Sequence, residues 1–110
     1  MINLQTIDNL IESVEAGQIR HDADMKYLGG YSQNRLGLNA YRGSLDAAKA
    51  LHEELLPGWM FGVTNDGAFV MPAGGDDTSQ YTGALENPAR AWLAAMLKAY
   101  RVLLTQEHAK

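Results

Sequence analysis

The densest polar cluster in the chain is Arg20-His21-Asp22-Ala23-Asp24. Histidine and aspartate ligate metals and carry protons, so this stretch has the residue types for a metal site or for acid–base chemistry. A phosphohydrolase of the His-Asp type needs further placed histidines, and only His52 and His108 remain. The cluster therefore reads as the start of a helix, with its charges solvated. Residues 74–79, "GGDDTS", share only acids and glycine with a calcium loop. The spaced carboxylates and closing glutamate of such a loop are missing, and a polar hairpin connection is expected instead. No Gly-Lys-Ser/Thr follows the glycines and no serine sits in a nucleophile elbow, so phosphate loops and hydrolase triads have no support.

A second group of side chains suits recognition rather than catalysis. Tyr27, Tyr31, Arg35, Tyr41 and Arg42 interleave aromatic and guanidinium groups. Tyrosine and arginine supply rigid contact area and forked hydrogen bonding, and both are favoured where proteins meet. Tyr31, Arg35, Tyr41 and Arg42 are the candidate binding residues. The competing role is packing, with the tyrosines holding their segment on the sheet and Tyr41 anchoring the helix that follows.

The composition bounds what such groups can do. One domain spanning 1–110 is expected from 110 residues, with 46% hydrophobic content typical of a globular chain. There is no cysteine, which excludes disulfides, thiolate zinc sites and thiol catalysis. A formal charge of −4 and a pI near 5.2 oppose broad attraction to phosphate backbones. "MINLQTIDNLIESVEAG" lacks a basic leader and carries acids at 8, 12 and 15, so neither a signal peptide nor a membrane span is expected there.

Several elements must position these residues. Ile7, Leu10, Ile11 and Val14 at helical spacing, with Gly17 as a stop, predict a helix over about 4–16. "HDADMKYLGG" predicts one or two further turns ending at Gly29-Gly30. Residues 29–43, "GGYSQNRLGLNAYRG", hold four glycines and no sustained period, which predicts a long surface loop. Ser44 as N-cap and Asp46 in the first turn open a helix with Leu45, Ala48, Leu51 and Leu55 as its apolar stripe. Pro57 ends it, since proline lacks a donor and disfavours helix at Leu56.

Two strand-like runs then flank Asn65-Asp66-Gly67, a hairpin signal. A two-residue Asp-Gly loop would separate Phe69 and Met71 from Trp59. A type I turn with a left-handed Gly67 bulge gathers Trp59, Phe61, Val63, Phe69 and Met71 on one face, and is the expected register. "QYTG" can add a short third strand. Asn87 and Pro88 open the strongest helix, reaching about 105 with Trp92, Leu93, Met96, Leu97, Tyr100, Leu103 and Leu104 on one stripe and Arg90, Lys98 and Arg101 pointing away. Trp59 and Trp92 are expected in the core. The order predicts an α+β fold, a small antiparallel sheet of about three strands with helices on its faces.

"YRGSLDAAKALHEELLPGW", a short hairpin and "ENPARAWLAAMLKAY" together resemble the phage ABA sandwich domain of small bacteriophage proteins. Those proteins carry a Tyr, a Ser-Leu-Asp-Ala-Ala helix start, a Pro-Gly-Trp or Pro-x-Gly-Trp before a strand, and a last helix opening on a small residue, Pro and Ala. Tyr41, Ser44 to Ala48, Pro57 to Trp59 and Asn87 to Ala89 stand in those places, with further counterparts in residues 4–16 and in Asp22-Ala23 through Leu28-Gly29. The resemblance implies a three-layer α-β-α sandwich, and it brings no established activity and no catalytic residues.

A small non-enzymatic phage accessory protein in the host cytoplasm is the expectation that follows, without a cofactor or metal. Its partner is expected to be a protein, such as a host enzyme or defence component, with a homo-oligomer as another form of protein partnership. A small-ligand binder using residues 29–43 is the alternative. A double-stranded RNA-binding module is a weaker one, because that domain shares the helix-strand-strand-strand-helix order but needs a basic cluster where "ENPARAW" stands.

Overall fold

The computed structural model describes residues 4–18, 31–64, 67–72, 81–83 and 87–109. The Arg20–Asp24 cluster, the turns expected after it, Tyr27 and the "GGDDTS" connection lie outside those residues. The described chain is α+β. It runs α1 (Leu4–Glu15), α2 (Tyr31–Tyr41), α3 (Leu45–Leu55), β1 (Met60–Thr64), β2 (Gly67–Met71), β3 (Tyr81–Gly83) and α4 (Pro88–Ala109).

Helix α1 buries Ile7, Leu10 and Val14, as their spacing predicts. It ends in a Schellman motif: the Gly17 N–H donates to the Val14 carbonyl (3.2 Å) and the Gln18 N–H to the Ser13 carbonyl (2.9 Å). The same motif closes α2, and here the sequence-based expectation is corrected. Residues 31–41 are a helix, not a surface loop. The Gly43 N–H donates to the Ala40 carbonyl (3.0 Å) and the Ser44 N–H to the Asn39 carbonyl (2.9 Å). Gly43 has φ 110°, a conformation that glycine adopts without the penalty a Cβ imposes. Among the described side chains of α2, Gly37, Leu38, Ala40 and Tyr41 are buried, and they fall on one side of a helix. Two of the four are too small to register as an apolar stripe.

Ser44 then serves twice. Its backbone closes α2, and its hydroxyl accepts the Ala47 N–H (3.1 Å) as the N-cap of α3. Helix α3 buries Ala47, Ala48, Leu51 and His52, so its inner face is turned from the expected stripe, and Leu45 is 48% exposed.

The sheet is antiparallel in the order β1-β2-β3. Its register corrects the bulged hairpin. Thr64 pairs with Gly67, leaving Asn65 and Asp66 as the two connecting residues, and Gly67 has no positive φ. Phe69 pairs with Gly62, and Val70 with Phe61, which places Phe69 on the face away from Phe61. The Phe69 ring lies over Gly62, where a Cβ would fall 2.8 Å from Cζ. The inner face carries Phe61, Val63, Ala68, Val70, Tyr81 and Gly83. The small residues Ala68 and Gly83, paired across β2 and β3, let α4 approach: a Cβ on Gly83 would fall 2.9 Å from the Ala91 carbonyl carbon and 3.1 Å from the Ala94 Cβ. A phenyl ring facing inward at position 69 would hold that helix off, so close helix–sheet packing overrides the gathering of large side chains.

Helix α4 starts as its sequence predicts. The Asn87 Oδ1 accepts the Arg90 N–H (3.2 Å), and Pro88 is the first helical residue. Every residue from Ala91 to Leu97 is buried, so this stretch has no solvent face. The sheet packs on one side of α4, and α1, α2 and α3 also pack against α4. Its polar residues fasten this arrangement. Lys98 Nζ donates to the Thr82 carbonyl (2.8 Å) and pairs with Glu15 (3.0 Å), tying β3 and α1 to α4, while Arg101 forms an ion pair with Asp8. Replacing Lys98 by methionine is expected to cost about 1 kcal/mol in urea unfolding, because the pair is part-exposed, with the Glu15 share fading at high salt. A loss that salt leaves wholly unchanged would assign the effect to Thr82 alone.

Candidate functional site

The candidate binding residues sit on α2 and the corner that follows it. Arg35 and Arg42 are both exposed. The Arg42 N–H still donates to the Leu38 carbonyl (3.0 Å), so helical spacing extends to position 42. Seven residues make about two helical turns, which puts the two arginines on one face. Tyr31 opens α2 four residues before Arg35, and Asn39, part-exposed, follows it by four. Leu45 adds an exposed apolar side chain just beyond the corner.

Tyr41 takes the packing role. It is 7% exposed, with the Arg90 guanidinium 3.9 Å above its ring. Arg90 Nε also donates to the Tyr41 carbonyl (3.0 Å). The pair pins the end of α2 to the start of α4 and makes the corner a fixed platform. Residues expected to act as one recognition loop are thus divided by a helix, with arginines outward and Tyr41 inward.

The described residue that sequence reasoning missed is His52. It is 2% exposed on α3 and joins three elements. Its Nδ1 accepts the Trp92 indole N–H from α4 (3.2 Å), and its Nε2 lies 3.0 Å from the Trp59 carbonyl just before β1. Indole is only a donor and a carbonyl only an acceptor, so the ring is neutral, with its proton on Nε2. Phe61 meets it edge-on at 5.0 Å and stacks on Trp92 at 4.5 Å. Burial lowers the His52 pKa from its ordinary value of 6.5, against the weaker upward pulls of the Trp59 carbonyl and Glu53. The Pro57-Gly58 corner delivers Trp59 to this lattice, and the Trp59 N–H donates to the Leu56 carbonyl (3.0 Å). No local sequence signal finds it, since His52 and Trp92 are 40 residues apart.

Among the described residues, no group of three or more histidines or carboxylates is placed to share a metal ion. What the exposed corner offers chemically is two guanidinium groups, an amide and an apolar side chain. Compared with protein-family models, curated proteins and solved structures, the chain matches none.

Proposed function

We propose that this chain is a small non-enzymatic accessory protein that acts by binding another protein, with the exposed side of α2 and the α2–α3 corner as its contact surface. The observation that carries this reading is the pair of exposed arginines, two turns apart, on a helix pinned from behind by Tyr41 and Arg90. A rigid platform presents its side chains at little entropic cost, and arginine beside an apolar residue is the composition of protein contact sites. Tyr31 stands at the first residue of α2, while Tyr41 supports the proposed surface from beneath. The resemblance to phage ABA sandwich proteins adds a phage origin and action in the host cytoplasm to the proposal. No helix among the described residues is long and apolar enough to cross a membrane.

The test is affinity capture from infected cells with the wild-type chain and with an Arg35→Ala/Arg42→Ala double variant of unchanged melting temperature. A partner held by the wild type and lost by the variant is the expected result. Equal recovery by both would remove the corner from the contact surface.

One observation favours a second reading. The run α3-β1-β2-β3-α4 with sheet order β1-β2-β3 matches the element order of a double-stranded RNA-binding domain. Charge opposes it: the chain carries −4, and α4 opens on Pro88 without a lysine cluster. Binding to generic RNA and DNA duplexes is expected to be weak at physiological salt. Sub-micromolar affinity there, lost in the double variant, would reverse the order of the two readings.

A further inference from the structure

We infer that His52 is a proton-operated latch at the junction of α3, β1 and α4, and that protonating its Nδ1 releases Trp92 and opens the junction between α4 and the α3–β1 corner. The geometry of three hydrogen-bonding groups carries this. Nδ1 is held as an acceptor by an indole that can only donate, and Nε2 faces a carbonyl that can only accept. A proton arriving at Nδ1 takes the lone pair that now accepts the Trp92 N–H, and leaves two N–H groups facing each other. The resulting imidazolium is a buried cation with one hydrogen-bond acceptor, the Trp59 carbonyl, in this lattice. Opening the junction lets water solvate it.

The surroundings give the cation little help. From β1 the ring meets Phe61, and from α4 it meets Trp92, both uncharged. Among the described residues, the ionised group acting on it is Glu53, its neighbour on α3, whose side chain is 66% exposed and lies 3.9 Å from Lys49. A carboxylate in water, shared with a lysine, offsets burial only in part. Burial accordingly outweighs the upward pulls, in the direction that keeps the folded ring neutral.

The sign follows from linkage. The folded pKa lies below the unfolded one, so the latch's contribution is fully present above about pH 6.5 and is lost as pH falls from there towards the folded pKa. Across that window the unfolding constant should rise by up to about tenfold per pH unit. Phe61 and Trp92 respond first, because their stacked rings flank the bond that is lost, and β1 follows as an edge strand resting on that stack.

The experiment compares the wild type with His52→Gln from pH 8 to 5, by urea unfolding and by the NMR titration of the His52 ring. Glutamine offers a carbonyl oxygen for the Trp92 N–H and an amide N–H for Trp59, and does not titrate. His21 and His108 are present in both proteins, so the difference between the two profiles isolates His52. The expected result is an acid-induced loss that is larger in the wild type, a native His52 ring titrating below 6.5, and amide exchange in β1 quickening before that in α4. Identical acid profiles, or a native His52 pKa at or above 6.5, would overturn the latch. Should His52→Gln not fold, the wild-type ring titration decides alone.

Discussion

Gly83→Ala is expected to cost about 3 kcal/mol or more, a large share of the roughly 5–15 kcal/mol that holds a domain together. β3 crosses α4 so closely that a Cβ at position 83 falls on the Ala91 carbonyl oxygen, within 2.9 Å of the carbonyl carbon. That obstacle is backbone inside a fully buried stretch of helix, and it cannot swing aside. β3 has to lift, and the Lys98 bond to the Thr82 carbonyl lifts with it. Gly62→Ala provides the comparison: there the obstacle is the Phe69 ring, a side chain that can rotate away, so the cost should be smaller. Urea and thermal unfolding read both. A Gly83→Ala variant within 1 kcal/mol of wild type, or full rescue of it by Ala94→Gly, would show that the helix backbone does not set the spacing.

The second large effect is expected at Leu97. It is fully buried in the core cluster on α4, and its truncation to alanine should cost about 2–5 kcal/mol. Leu45→Ala is the matched control. Both leucines sit on apolar stripes that the sequence assigns to the core, yet Leu45 is 48% exposed and its loss should stay within about half a kcal/mol. Equal costs at the two positions would mean that α4 is not the pillar against which the other layers pack.

Where a helix carries both its caps and its large apolar residues in sequence, it was legible. Ser44, Asn87 and Pro88 act as their residue types require, and α1 buries the positions its period selects. Helix α2 escaped because its buried side includes Gly37 and Ala40, which contribute little hydrophobic signal. Its stop was nonetheless written in Gly43, by the same motif that Gly17 provides for α1. The candidate site was legible in its arginines, whereas the loop assigned to it hid the helix that turns Tyr41 inward. His52 could be noticed only as a spare histidine, since its partners come from two other elements.

By itself the sequence determined the α+β class, the acidic and cysteine-free character, the capped starts of α3 and α4, and the sharp end of α3 at Pro57. Each follows from interactions within a few residues or from composition, and needs no distant partner. Only the tertiary structure decided the hairpin register, the burial of Tyr41 and the lattice around His52. Those depend on how near α4 comes to β3 and on which groups meet across 40 or more residues of chain. Phe69 lies on the outer face because Ala91 and Gly83 leave no space for a ring beneath the helix, a fact of packing that no local pattern around Asn65-Asp66-Gly67 contains.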